Sequence, residues 1–443
     1  MHLTLIMPNL GRMEHRPYVD EGRMEPLQLG VLAALTPPDV DVVLYDDRME
    51  PIPYDVPTDL VAITAESYTV RRAYEISAEY RKRGVPVVMG GMHATLVPDE
   101  VAEHADAVFT GDAEYMWVRM IEDARRGRLR QFYRSRAGSP QPGIRPRRDL
   151  FEGKGYLPLT LLQFSRGCRF ACTFCSVSTY FKQRHFVRPV DAVVEEIASQ
   201  DRKLLFFVDD NLLADHEAAK LLFRELIPLK VHWVSQATID MTGDLELMDL
   251  MARSGCIGHV VGFESIDPQS LQWMNKAPNI VDGFNHYGSQ LEVVRDYGLQ
   301  LWAAFTLGHD YDTVTSIART VDFALKWKFC FAAFNVLTPY PNTPLYRELQ
   351  AQGRLLFDGK WWLHPDYRFN DAAFRPRNMA PDALTDACFK ARVRFNSMGS
   401  FFRRAFDFKT NMRSLYRFGV YLSYSPLFRK EMYKKHGMKL GLN

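Results

Sequence analysis

The stretch Leu161-Leu162-Gln163-Phe164-Ser165-Arg166-Gly167-Cys168-Arg169-Phe170-Ala171-Cys172-Thr173-Phe174-Cys175 decides how this chain is read. An apolar run gives way to three cysteines at C-x3-C-x2-C spacing. A short apolar run of this kind suits a buried strand, so the cysteines occupy the loop that leaves its end. Three thiolates on one tight loop can hold three irons of a [4Fe-4S] cluster and leave the fourth iron open to an exchangeable ligand. Two blander readings compete. A zinc site needs four ligands, and no fourth Cys or His completes the usual paired spacing, although His185 is ten residues on. A disulfide framework needs partners, and the other cysteines, Cys256, Cys330 and Cys388, are widely scattered. The cluster reading is preferred, with zinc as the main alternative.

Working outward, residues 159–345 alternate strand and helix patterns. Strand-like runs cover 159–164, 204–208, 232–239, 259–263, 301–307 and 332–337. Helix-like runs between them cover 191–199, 217–226, 245–253, 289–297 and 315–327. Six strand–helix units are too few for an eightfold barrel and predict an open, partial (β/α)6 barrel, with chemistry at the carboxyl ends of its strands. Residues 1–125 show a second alternation, with strands over 2–7, 40–45, 60–65, 85–90 and 107–110 and helices over 26–35, 70–83 and 114–125. That pattern predicts an α/β, doubly wound parallel sheet of Rossmann-like type. Its ligand loops are then 8–11, 46–48, 66–69, 90–95 and 111–114, beyond the strand ends. Residues 126–158, rich in Arg, Gly and Pro, read as a linker. Residues 346–443 read as a mostly helical, basic C-terminal region.

The chain has 443 residues, 47% of them hydrophobic and 24% charged, enough for two or three ordinary globular cores. No apolar run is long enough to span a bilayer, and the N-terminal stretch lacks the basic lead of a signal peptide. A cytoplasmic location follows as an expectation, where thiols stay reduced. The net charge of +2 is unevenly spread, because residues 390–443 hold 13 Lys and Arg against 2 Asp and Glu. A basic, aromatic-rich tail suits a membrane surface or an anionic substrate. A solvated helical cap accounts for it equally well. The near-neutral total argues against nucleic acid as a partner.

The cysteine loop resembles that of the radical S-adenosylmethionine (SAM) enzymes. In that family the open iron chelates the amino and carboxylate groups of SAM, and electron transfer cleaves the sulfonium to a 5′-deoxyadenosyl radical. The resemblance extends along the barrel. Phe174 stands where the family places an aromatic over the cofactor. Phe207-Val208-Asp209-Asp210-Asn211 looks like the family's acidic strand end, and Gly262-Phe263-Glu264-Ser265 is similar to its Gly-x-Glu element. Gly308 and the run Leu337-Thr338-Pro339-Tyr340-Pro341 close two further strands in the same style. The ribose diol and ammonium of SAM need acceptors, which Glu264, Asp209 and Gln236 can supply. Arg166 and Arg188 are candidates to neutralise the cluster or a carboxylate. The plain alternatives for the acids are helix N-caps and structural ion pairs.

A doubly wound domain ahead of such a barrel resembles the cobalamin-binding class of these enzymes. Pro26-Leu27-Gln28-Leu29-Gly30, Gly90-Gly91-Met92-His93-Ala94-Thr95 and Gly111-Asp112-Ala113-Glu114 carry that likeness. The nearest subgroup is that of hopanoid methylases and the ring cyclases of bacteriochlorophyll synthesis. The Asp-x-His-x-x-Gly signature, whose His binds cobalt in many cobalamin proteins, is absent. Gly90 and Gly91 would let backbone approach a flat macrocycle or its tail. Ser67 and Thr69 would hydrogen-bond a cofactor tail, and His93 is not taken as an axial ligand. The resemblance implies cobalamin-dependent C-methylation. Radical cyclisation, oxidation or rearrangement, with or without cobalamin, is the alternative, and a non-catalytic cluster protein is the third reading. It implies a small-molecule substrate, anionic or membrane-associated, a reductant such as flavodoxin or ferredoxin, and a site peripheral to the membrane.

Overall fold

The computed structural model describes residues 1–13, 16–17 and 22–442. The first sheet contains β1 (His2–Met7), β2 (Asp41–Asp46), β3 (Leu60–Thr64), β4 (Val87–Gly90), β5 (Ala107–Thr110) and β6 (Phe132–Arg134) in the order β2-β1-β3-β4-β5-β6. Every pairing in it is parallel. The order reverses between β1 and β3, so a ligand crevice belongs beyond the carboxyl ends of these two strands. All five residues of β3 are buried, as expected of a strand covered on both faces. β6 was not expected. It lies inside the stretch read as linker, is only three residues long, and extends the first domain beyond residue 125. The Arg and Gly around it masked the short apolar pair Phe132-Tyr133.

The second sheet contains β7 (Thr160–Leu162), β8 (Leu204–Phe207), β9 (His232–Ala237), β10 (Cys256–Glu264), β11 (Gln300–Leu307) and β12 (Phe331–Val336) in the order β12-β11-β10-β9-β8-β7. All pairings are parallel, and among the described residues nothing joins β12 to β7. The barrel is therefore open, as its six units imply. Its helices are fixed by local chemistry. Asp215 and Asp244 cap the helices His216–Leu226 and Leu245–Arg253 by accepting from the backbone N–H groups of Ala218 and Leu247. Thr313 and Ser316 form a reciprocal capping box on Val314–Lys326.

The C-terminal region is less helical than its composition suggests. After a short 3-10 turn at Phe357–Gly359, residues 360–380 are loop and turns, followed by helices Pro381–Phe395, Met398–Ala405 and Leu415–Lys435. The loop segment has a packing role. Trp361, Trp362 and Tyr367 join the core that covers one face of the first sheet, beside Ile63, Val87 and Met89. A last short strand, Lys439–Leu440, pairs with Gly11–Met13. The chain thus returns from the barrel to close over the domain it began with. Cys256, Cys330 and Cys388 are all buried, as small apolar side chains commonly are. Cys256 opens β10.

Candidate active site between the two sheets

The two sheets point their carboxyl ends at each other. Tyr68, after β3, hydrogen-bonds Thr338, after β12, at 3.1 Å. The side-chain amide of Asn342, also after β12, donates to Leu96 O, after β4. Arg166, after β7, reaches Glu114 at 2.5 Å and Asp112 at 3.4 Å, after β5. Tyr180 donates to the other oxygen of Asp112 at 2.8 Å. Between them lies a cavity of about 390 Å³, walled by Gln28, Thr64, Gly90 and Gly91 on one side and by Gln163, Arg166 and Asp210 on the other. The segment read as linker contributes Pro140, Gln141 and Ile144 to its wall.

The cysteine loop leaves β7 through a clip in which Ser165–Gly167 pairs antiparallel with His185–Val187. Gly167 has φ +80°, and a Cβ there would stand 2.2 Å from Arg184 O. Only glycine lets the clip close. Beyond it the loop is tied from later parts of the chain. Thr173 N donates to Met274 O at 2.9 Å, Leu345 N donates to Thr173 O at 3.0 Å, and the Asn275 amide donates to Ala171 O at 3.0 Å. Cys168, Cys172 and Cys175 are all free thiols, Cys172 buried and the others half-buried. Among the described residues no three His, Cys, Asp or Glu side chains gather closely enough for one metal ion. Three thiols on one loop are a donor set that suits three irons of a [4Fe-4S] cluster, with the fourth iron left open. Burial pushes the Cys175 thiol up to about 12 and raises Cys172 as well, with Lys276 opposing the rise. Loading the site would release these protons.

Glu264 ends β10 in the left-handed region at φ +61°, which is strained for a side chain of its kind. The turn is held by Asn279, whose amide donates to Gly262 O and Phe263 O, and by Tyr287, whose hydroxyl donates to Phe263 O and Ser265 O. The strain turns the carboxylate into the barrel. There it accepts from Lys276 Nζ at 2.9 Å and from Thr306 at 2.6 Å. Lys276 is buried; burial opposes its charge, but Glu264 and Cys172 outweigh it and the net shift is upward. Sequence reasoning missed Lys276. Its only signal is its place after Asn275, in the segment that ties the cysteine loop.

Other expected site residues have different partners. Asp209 is fully buried, and its carboxylate accepts from Phe164 N, Ser165 N and Ser165 Oγ. It braces the base of the cysteine loop. Burial raises it to about 7. The neighbouring Asp210 accepts from Gly167 N at 2.8 Å and reaches the cavity instead. Gln236 donates to Asp209 O at 3.1 Å from the inner face of the barrel. Phe174 is half-buried against the barrel core. Arg188 is buried and paired with Glu196 at 2.5 Å, so its charge is already balanced.

On the first domain, Gly90 and Gly91 do line the cavity. Gly91 has φ +101°, and a Cβ there would crowd Ala65 O at 2.9 Å, so its glycine serves the crossing of two strand ends. Ser67 is buried and bonded to His93 Nδ1 at 3.0 Å, and His93 Nε2 lies 3.3 Å from Glu100. Ser67 and His93 are thus occupied with each other. Thr69 closes a turn on the backbone of Glu66. Glu66 itself was missed. Its side chain is solvent-accessible, and desolvation by its surroundings, with Asp210 adding, raises its carboxyl.

Residues 162–324 match the Radical SAM superfamily. The chain is 28% identical over 386 residues to the bacteriochlorophyllide d C-12(1)-methyltransferase of Chlorobaculum tepidum, covering 84% of this chain and 83% of that one. It is 24% identical to the hopanoid C-2 methylase of Rhodopseudomonas palustris, over 79% of this chain and 69% of the relative. It is also 24% identical to the anaerobic magnesium-protoporphyrin IX monomethyl ester cyclase of Cereibacter sphaeroides, over 75% and 58%. Among solved structures it shares its fold with the radical SAM methyltransferase TsrM from Kitasatospora setae, with TM-score 0.62 and 19% identity over 79% of this chain and 78% of that one. It shares it too with the cobalamin-dependent SAM radical enzyme OxsB, with TM-score 0.67 and 14% identity over 97% and 71%. The chain carries a radical SAM domain over residues 162–324, and several of its relatives are named as methyltransferases.

Proposed function

We propose that this chain is a cobalamin-dependent radical SAM methyltransferase that places a methyl group on carbon of a small molecule. The observation that carries the reading is the opposition of two sheets whose carboxyl ends enclose one cavity of about 390 Å³, with three free cysteines beside it. Bound there, the cluster, SAM and cobalamin supply a reducing electron, a hydrogen-abstracting radical and a methyl group respectively. The chain's own residues hold and enclose. Cys168, Cys172 and Cys175 would hold the cluster, and Lys276 places a positive charge within reach of the Cys172 and Cys175 sulfurs. Glu264 offers acceptors toward the ribose or ammonium of SAM. Gly90 and Gly91 leave room for a macrocycle or its tail, while Asp112 and Asp210 present acceptors to amide groups. Burial raises both acids, which favours their protonated forms. Tyr68, Tyr340 and Trp361 pack against one another where the strand ends of the two sheets meet.

The methylase relatives and the TsrM-like fold support this reading, and a flavodoxin- or ferredoxin-type donor would supply the electron. The cyclase relative favours a second reading, radical ring closure or oxidation on the same scaffold. The deciding experiment is anaerobic. The cluster is reconstituted, hydroxocobalamin is added, excess is removed by gel filtration, and corrinoid per chain is read from the visible spectrum. Stoichiometric corrinoid with label transfer from methyl-labelled SAM is expected. An intact cluster that cleaves SAM yet retains no corrinoid would overturn the reading.

A further inference from the structure

We infer that the face formed by residues 398–416, on the C-terminal region, docks on an anionic phospholipid bilayer. The helix Met398–Ala405 buries Ser400, Arg404 and Ala405, and Phe401 stacks on Tyr421 at 5.2 Å. Its opposite side turns Met398 and Phe402 outward, one helical turn apart. The chain then continues through Phe406 and Phe408 to Leu415. Phe402 is 53% exposed, Phe406 57%, Phe408 73% and Leu415 90%. Single exposed apolar side chains are ordinary. Several large ones crowded into one short stretch mark an interaction surface.

The charges around them select the partner. Between residues 391 and 430 the only carboxylate is Asp407. It is buried and paired with Arg295 at 2.7 Å and 2.8 Å. Arg403 is exposed, with no ion-pair partner among the described residues. Arg413 is exposed and donates only to a backbone carbonyl, Asp296 O, so its charge is unbalanced. Lys409 has Asp296 as a counter-ion at 2.8 Å. Aromatic rings among cations, two of them unbalanced and one paired with the exposed Asp296, match a surface of phosphates above acyl chains. The face lies at the amino end of the barrel strands. Arg404 donates to Cys330 O at 2.7 Å and Arg417 donates to Cys256 O at 2.9 Å, both at strand starts. A molecule docked this way keeps its cysteine loop on the side away from lipid. No helix among the described residues is long and apolar enough to cross a membrane, so docking is peripheral.

The test is independent of the chemistry. Full-length protein carrying its cluster is sedimented with phosphatidylcholine vesicles containing phosphatidylglycerol, and separately with phosphatidylcholine alone. Binding is expected only to the first, stronger at low salt. R403Q and R413Q should each weaken it about fivefold, and F402S/F408S about tenfold. Iron content equal to wild type shows that each variant folds. Equal binding to both vesicle types, binding that survives F402S/F408S, or no binding would overturn the inference. So would a dimer that F402S/F408S abolishes, since that assigns the face to a second copy of the chain.

Discussion

At the scale of single residues, the pair Glu264–Lys276 sets the charge balance of the barrel interior. Neither is exposed enough for water to replace the other. Removing one partner of a buried pair leaves an uncompensated charge. K276M should therefore lower the unfolding free energy of metal-free protein by about 3 kcal/mol. Adding E264Q should restore part of that loss, since a neutral amide needs no counter-ion; urea unfolding of both variants checks it. Asp209 carries a pH dependence of definite sign. Its folded carboxyl titrates at about 7, and an unfolded one near 4. The folded state binds the proton more tightly, so its contribution to stability is full below about pH 4 and is lost as pH rises through 7. The stability advantage of wild type over D209N should shrink by on the order of 3 kcal/mol between pH 4 and 8. A constant difference would mean that Asp209 stays ionised throughout. Such roles were illegible beforehand. The adjacent pair Asp209-Asp210 looks equivalent in sequence, and only the fold decides which carboxylate is spent on backbone N–H groups and which reaches the cavity.

At the scale of elements, apolar periodicity made eleven of the twelve main strands legible, because each rests on contacts within a few residues. The exceptions are instructive. β6 has too few apolar residues to stand out from its Arg-rich surroundings. Residues 357–380 look like helix by composition, yet their two tryptophans are drawn into the core of another domain. The clip before Cys168 depends on Gly167 at φ +80°. G167A should cost about 2 kcal/mol or more through strain and collision with Arg184 O. Because the clip aims the cysteine loop, iron bound per chain after reconstitution should fall with it. Unchanged iron content would show that the loop is held by its ties to Met274, Asn275 and Leu345 alone.

At the scale of the whole molecule, the two domains share a core and a cleft. Trp361 and Trp362, nearly inaccessible, pack on the first sheet although they follow the barrel in sequence. Trp362 also donates to Glu100 at 2.9 Å. Heating the metal-free protein should therefore give one calorimetric transition, and W362A should lower its stability by about 3–5 kcal/mol while keeping it single. Two resolved transitions would mean that the domains unfold separately. The Arg166 bridge to Asp112 and Glu114 closes the cleft beside the cysteine loop. R166Q should leave two acids without a cation and speed proteolytic cleavage within residues 136–147, the segment over the cavity. Hydroxocobalamin at a hundred times its Kd should stabilise wild type by about 2.7 kcal/mol, and R166Q less.

The amino-acid sequence alone determined the cysteine triplet, the two successive α/β units and their open sheets, because thiol spacing and apolar periodicity are local properties. It also announced the basic, aromatic tail. Only the tertiary structure decided that the strand ends face one another, that Lys276 answers Glu264, that Ser67 and Asp209 are occupied internally, and that Arg166 bridges the domains. Those outcomes depend on contacts between residues from 12 to 270 positions apart, beyond what local apolar periodicity reports.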